Sequence, residues 1–468
     1  MLKVLTSIDD FMYYPLLIII MIAAGLYFTI RTHFVQIRLL KESIHLIFEK
    51  PEDDKNVSSF QALMVSTASR VGTGNIIGVA NAICLGGPGA VFWMWLICII
   101  GASSAFTEST LAQIFKQRDP EGHAYGGPAY YIEKVVHSRW LSILFCISLL
   151  AAYGFGFNLL CSYNTQAAFK VYGFYNETWT PLLVGGVLAG LTAWSVFGGG
   201  KRVLKLTEKL VPFMGIFYVV ISLIVLVVHI GNIPAMFVTI FKNAFDFKAI
   251  FGGVSGSCMI YGIKRGLYSN EAGVGSAPNA SASAHVTHPA KQGLVQTISV
   301  YIDTMLLCTA TALMCLSSGV DIPADTSGAS YVQNAISTVF GSVGPIFITI
   351  ALCMFAFTTL IGNLYYTGNA LAYIHGNKQP SKRFMTIFNI CAVVVIFLGA
   401  IATMDAAWAI ADIGMGLMTI INLPCCVVLS KYSIGALRNF EQQLKEGKNP
   451  VFKASDVGIP DSEWNFWR

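Results

Sequence analysis

The sequence predicts an all-α polytopic membrane protein with eleven transmembrane helices. Three observations carry this: the scarcity of charge, the length of the apolar runs, and the placement of the basic residues between them. Of 468 residues, 55% are hydrophobic and only 12% are charged, about half the charged share of an ordinary soluble domain. A soluble chain of this length folds as two or three domains with charged outer faces. There is too little charge here to cover such faces, and a lipid bilayer requires none. The net charge of +5 could suit nucleic acid, but the basic residues form no stripe or tail with interleaved aromatics. The eleven cysteines are scattered through apolar stretches without a CxxC pair or zinc-ligand spacing, so they read as small side chains packing between helices. The histidines form no ligand cluster, and no span carries a His, Ser, Asp set, so the sequence points to neither a metal site nor an enzyme.

A helix rises about 1.5 Å per residue and the hydrocarbon core is about 30 Å thick, so apolar runs of about 18 residues or more are candidate spans. Eleven occur: 13–31, 59–83, 89–115, 140–169, 180–198, 211–230, 250–267, 291–318, 345–374, 383–403 and 407–431. The first follows Asp9 and Asp10 rather than a basic stretch and lacks a small-residue cleavage pattern, so it reads as a span and not a signal peptide. If the 31–58 loop is cytoplasmic and sides alternate from there, 25 of the 30 lysines and arginines fall on the cytoplasmic side. One missed span would invert everything after it, so this asymmetry supports the count. It places the N-terminus outside and the C-terminus inside.

Two spans carry glycine clusters at mid-membrane: Gly72-Thr73-Gly74-Asn75 in the second and Gly252-Gly253-Val254-Ser255-Gly256 in the seventh. With the first helix left out, each cluster opens a set of five spans, and an odd number per repeat turns the second set upside down. The chain then divides into an extra helix with an amphipathic loop (1–58), a first repeat (59–231), an inverted second repeat (250–431) and a cytoplasmic tail (432–468). Paired broken helices at matching places of inverted halves point to a transporter's binding site. Freed backbone groups survive at that depth only where they line a cavity. The Gly72-x-Gly74 pattern is not a phosphate loop, because no strand precedes it.

The stretch Ser66-Thr67-Ala68-Ser69-Arg70-Val71-Gly72-Thr73-Gly74-Asn75-Ile76-Ile77-Gly78, continuing to Gly86-Gly87-Pro88-Gly89, resembles the signature of the alanine or glycine:cation (sodium:alanine) symporter family. The block Arg265-Gly266-Leu267-Tyr268-Ser269-Asn270-Glu271-Ala272-Gly273-Val274-Gly275-Ser276-Ala277-Pro278 is similar to that family's second motif. Gly126-Gly127-Pro128 and Thr358-Thr359-Leu360-Ile361-Gly362 also fit. The resemblance implies a five-plus-five inverted repeat like that of the neurotransmitter:sodium symporters. It also implies coupled entry of sodium and a small neutral amino acid, alanine or glycine by default.

Sodium is a hard cation that takes about five or six oxygens. The expected donors are the carbonyls of Ala68 and Val71 with the hydroxyls of Thr358 and Thr359. The competing use of those hydroxyls is bonding to carbonyls one turn back in their own helix. The amino-acid carboxylate is expected at the half-helix N-terminus formed by Gly72, Thr73, Gly74 and the Asn75 side chain, where the dipole and free N–H groups favour an anion. Its ammonium is expected at the carbonyls around Gly252, Gly253 and Ser255, with the Ser255 hydroxyl as a further group. Arg70, beside the break, reads either as a counter-charge to a carboxylate, with Asp303, Glu108 or Asp412 as partners, or as a gate. The family tends to carry Gln and Trp at pocket positions occupied here by Cys161 and Asn363. A short amide in place of an indole leaves room and adds a donor and an acceptor. The expected consequence is a pocket for something larger or more polar than alanine, such as glutamine, asparagine or serine. Proton coupling, exchange, or a channel or sensor on the same fold remain the alternatives.

Overall fold

The structure is a computed structural model. It describes residues 2–49, 56–118, 122–246, 257–323, 328–378, 380–402, 404–459 and 466–467. In chain order its principal helices are α1 (Leu2–Phe11), α2 (Ile18–Arg31), α3 (Leu40–Ile47), α4 (Ser59–Arg70), α5 (Ile77–Gly86) and α6 (Ala90–Ile114). There follow α7 (Pro128–Val136), α8 (Arg139–Leu149), α9 (Phe157–Ala167), α10 (Trp179–Val196), α11 (Gly200–Val228) and α12 (Ile233–Ala244). The second half holds α13 (Cys258–Asn270), α14 (Pro278–Ser281), α15 (Pro289–Val300), α16 (Thr309–Ser317), α17 (Gly328–Phe340), α18 (Val343–Ile374), α19 (Lys382–Gly399) and α20 (Met404–Lys445). The only β-structure among the described residues that forms a ladder is a two-residue hairpin pairing Gln117 with Tyr125.

Nine helical stretches among the described residues are long and apolar enough to cross a membrane, and each coincides with an expected span. The other two expected spans hold shorter helices. In 59–83, α4 and α5 are separated by a stretch that leaves the α-helical path. In 250–267, α13 begins at Cys258, with Ser257 Oγ accepting from the Ile260 N–H. Gly252, Gly253 and Ser255 lie outside the described residues.

Apolar residues alone do not decide which helices sit in the middle. On α10, α11 and α19, Leu183, Val187, Phe213, Ile216, Val227 and Ile387 point outward, a surface that lipid solvates. By contrast, α15 is buried along its length although it carries Lys291, Gln292, Gln296, Thr297 and Ser299. Its polar side chains face the interior of the bundle, where other helices satisfy them. It packs against α6, which also packs on α13 and α2. Between α15 and α16 the helix widens into a π-type turn at Tyr301–Cys308, and a similar turn at Leu150–Gly156 precedes α9. Such turns re-aim side chains without ending a helix, and both adjoin the site described below.

Lys264 and Arg265, inside the expected 250–267 span, lie on α13. Lys264 Nζ is 2.5 Å from Asp9 and 3.1 Å from Asp412, and Arg265 Nη1 is 3.6 Å from Asp412. A helix in a span can carry these charges because acids on neighbouring helices pair with them.

His288 caps α15. Its Nδ1 accepts from the Ala290 N–H at 3.1 Å, Nε2 pairs with Asn439 Oδ1 at 3.2 Å, and its ring lies near Phe440 and Phe452. Burial pushes its pKa down to about 3, whereas an unfolded histidine protonates near pH 6.5. Between those values the unfolded chain holds the extra proton, so this contribution to stability is full above pH 6.5 and is lost as pH falls towards 3. Thermal unfolding should show a loss of about 2 kcal/mol between pH 8 and pH 5 from this group. His288→Gln, which keeps an acceptor but does not titrate, should flatten that dependence.

Candidate functional site

The first break has a local cause. After Arg70 the backbone turns extended at Val71 (φ −77°, ψ 91°) and Gly72 (φ −135°, ψ −159°), then makes a single 3₁₀ turn over Thr73–Asn75. The end of α4 thus leaves carbonyls without helical partners. Two of them, Ala68 O and Val71 O, accept from Thr359 Oγ1 of α18 at 3.1 and 3.2 Å. A Cβ at Gly72 would come within 2.5 Å of that hydroxyl, so only glycine permits this approach. Thr358 faces the other way, with Oγ1 bonding to Met354 O at 3.1 Å and Phe355 O at 3.0 Å of its own helix. Of the expected cation donors, three converge and the fourth makes the back-bond.

Asn75 is fully engaged. Its Oδ1 accepts from the Gly72 N–H at 2.8 Å. Its Nδ2 donates to Asp303 Oδ1 at 2.6 Å and stands 3.2 Å from Ser269 Oγ. Asp303, in the widened turn, also accepts from Ser269 Oγ at 2.7 Å and Thr304 Oγ1 at 2.8 Å. Asn75 and Asp303 therefore hold the break in shape one layer behind the site. The N–H groups left to an anion there are those of Thr73 and Gly74.

A second break follows α13. Glu271 adopts a left-handed conformation (φ 52°), and Gly273 and Gly275 have φ of 86° and 87° before α14 begins. Glu108 of α6 holds it: its carboxylate accepts from the Gly273 N–H at 3.2 Å, the Gly275 N–H at 3.1 Å and Asn422 Nδ2 at 2.8 Å. The mid-membrane glutamate is thus satisfied by the very N–H groups the break frees. The six residues 71–76 and the seven residues 271–277, which follow helices of twelve and thirteen residues, form two irregular segments that lie face to face.

Between them lies a closed cavity lined by Ser69, Arg70, Gly72, Thr73 and Gly74 from the first break, Tyr268 and Glu271 from the second, Phe157 and Cys161 of α9, and Thr359. About 10 Å³ of it is open to the centre of a water-sized sphere, room for about one water. The walls must move to admit an amino acid. Tyr268 lies across Gly74, its ring packed at a tilt between Phe157 at 5.0 Å and Trp408 at 4.8 Å. Arg70 is buried (2% exposed); Nη1 donates to Gln296 Oε1 at 3.3 Å, while Nε and Nη2 have no hydrogen-bond partner. Its expected ion pair with Asp303 is not formed, since that carboxylate is taken by Asn75, Ser269 and Thr304. Glu271 accepts from Ser276 Oγ at 2.5 Å. Asn363 does not reach the cavity: its Oδ1 accepts from Ser69 Oγ at 2.8 Å and its Nδ2 donates to Asn158 at 3.2 Å.

The sequence profile of the Sodium:alanine symporter family matches residues 1–454. The chain belongs to this family. Among its relatives are the amino-acid carrier protein AlsT of Bacillus subtilis (strain 168), 43% identical with 95% of this chain and 93% of that protein covered, and the probable sodium/glutamine symporter GlnT of the same organism, 41% identical over 95% and 91%. The sodium/alanine symporter AgcS of Methanococcus maripaludis is 35% identical over 96% and 99%. A crystal structure of MhsT in complex with L-phenylalanine superposes with a TM-score of 0.55 at 16% identity, covering 87% of this chain and 94% of that one. That likeness shows the fold, the neurotransmitter:sodium symporter type expected from the motifs. The cavity-lining residues that sequence reasoning did not single out are Ser69, Phe157, Tyr268 and Glu271. Tyr268 and Glu271 stand inside the Arg265–Pro278 block. An acid among small residues (Asn270-Glu271-Ala272-Gly273) was the available signal for this second break.

Proposed function

We propose that the protein is a sodium-coupled symporter that brings a small neutral amino acid into the cell across the bacterial cytoplasmic membrane, with its N-terminus outside and its C-terminus inside. The observation that carries this is the approach of Thr359 Oγ1 to Ala68 O and Val71 O beside a closed cavity between two helix breaks. Those three oxygens form one face of a cation site, and a sodium ion would take the place that the Thr359 proton holds between the carbonyls. Arg70 and Glu271 give the cavity wall one positive and one negative side chain, so a zwitterion leaves no net charge behind in a dry site. The cation links α4 to α18 and the amino acid links the two breaks. Together they stabilise the closed state more than either does alone, and that shared free energy is the coupling.

Family membership and relatives named for sodium and alanine support alanine or glycine as substrate. Cys161 in the cavity wall and a relative named for glutamine support a larger polar amino acid. Uptake of radiolabelled amino acids into proteoliposomes, with and without an inward sodium gradient, tests both. Uptake that ignores sodium and follows a pH gradient would overturn the coupling. Cys161→Gln fills the wall, and competition by glutamine should weaken at least tenfold relative to alanine if the pocket accepts the larger substrate.

A further inference from the structure

We infer that the segment after α20, from Glu446 to Ile459 together with Phe466 and Trp467, is a latch on the inner end of the second broken span that must release before the inner path opens. The inference rests on the transport reading above.

The link from α14 to α15 is the part of the second half that connects the break to the inner side. It is sandwiched between the end of α6 and the segment after α20. On one face, Gln113 Nε2 of α6 donates to Ala284 O at 2.9 Å, and Lys116 Nζ donates to the same carbonyl at 3.0 Å. On the other, Phe452 N–H donates to Thr287 O at 3.0 Å, and Thr287 Oγ1 donates to Pro450 O at 2.8 Å. Asn449 Oδ1 accepts from Lys291 Nζ at 2.7 Å. The segment then closes on α6 itself. Trp467 Nε1 donates to Gln113 O at 2.7 Å, Ala454 N–H donates to Trp467 O at 3.1 Å, and Lys116 Nζ lies 3.7 Å over the Phe466 ring and 4.7 Å over Trp467. Phe452 and Trp467 are 3% and 6% exposed, and their rings meet edge-to-face at 5.4 Å.

The chemistry of these links suits reversible docking. They are neutral hydrogen bonds worth about 0.5–1.5 kcal/mol, lysine hydrogen bonds worth about 1.5–3 kcal/mol and ring–cation contacts of about 0.5–2 kcal/mol, and all lie at one end of the bundle. Opening the inner path requires α14 and the 282–288 link to move against α6. While docked, the segment holds the link to α6 and α20 at several points, so it slows that motion.

The test is a reversible covalent lock. Thr287→Cys with Phe452→Cys joins residues whose backbones already share a hydrogen bond. The oxidised double variant in proteoliposomes should keep sodium-dependent binding of labelled alanine but lose at least tenfold in uptake rate, and reductant should restore it. Trp467→Ala, which removes the anchor on α6 without a cross-link, should raise the maximal uptake rate two- to fivefold with little change in half-saturation. Unchanged uptake in the cross-linked protein would overturn the latch. Absence of sodium-dependent binding in the unmodified protein would instead overturn the transport reading.

Discussion

Thr359→Val gives a folded protein whose apparent sodium affinity falls 10- to 100-fold, about 1.4 to 2.7 kcal/mol. Valine keeps the shape but removes the hydroxyl that faces Ala68 O and Val71 O, leaving two buried carbonyls with fewer oxygens around a cation. Thr358→Val, the adjacent residue of the same type, should change sodium affinity less than about threefold, because its hydroxyl serves its own helix and such back-bonds contribute little. Sodium titrations of initial uptake rate for the two variants decide the matter. Equal effects would place the cation elsewhere. Gly72→Ala should abolish uptake outright, since its methyl would occupy the position of the Thr359 hydroxyl.

Lys264→Met lowers thermal stability by about 3–5 kcal/mol, the cost of leaving buried charges without their partner. Lys264 bridges Asp9, on the extra N-terminal helix, to Asp412 near the start of α20. Removing it leaves two acids facing each other, with Arg265 as the remaining cation. Replacing Asp9 as well (Asp9→Leu with Lys264→Met) should recover most of the loss, because a buried ion pair exchanged for packed apolar groups costs little. Uptake should suffer along with stability. Arg265 stacks on Trp408 at 3.7 Å, Trp408 lies against Tyr268, and Tyr268 walls the cavity. Unfolding temperature in detergent and uptake in vesicles, measured on the same variants, separate the two effects. No recovery in the double variant would mean that the cluster acts through shape and not charge.

Much of the architecture was legible because lipid acts on each segment by itself. A run such as 211–230 needs no partner to read as a span, and the Gly72–Asn75 cluster marked a break because glycine lowers the local cost of leaving a helix. The break after α13, distinct from the one expected at Gly252–Gly256, was harder to read. Gly273 and Gly275 sit in a block that ends a helix rather than interrupting a long apolar run, so hydropathy stopped at 267 while the working residues began at Tyr268. Lys264 and Arg265 fall inside the expected 250–267 span, and what the sequence could not show is that acids more than 140 residues away in the chain offset their charge.

From the sequence alone came the membrane class, the helical fold, the first break and the presence of two threonines near it, because these depend on local composition and on motifs. Only the tertiary structure decided which threonine serves the cation site. Neighbouring residues on a helix point about 100° apart, and nothing local says which direction faces Ala68 and Val71. It likewise decided that Asn75 and Asp303 brace each other, that Asn363 stands behind Ser69, and that Arg70 reaches the cavity wall with donors to spare. Those roles depend on which side chains reach a partner first across helices distant in the chain.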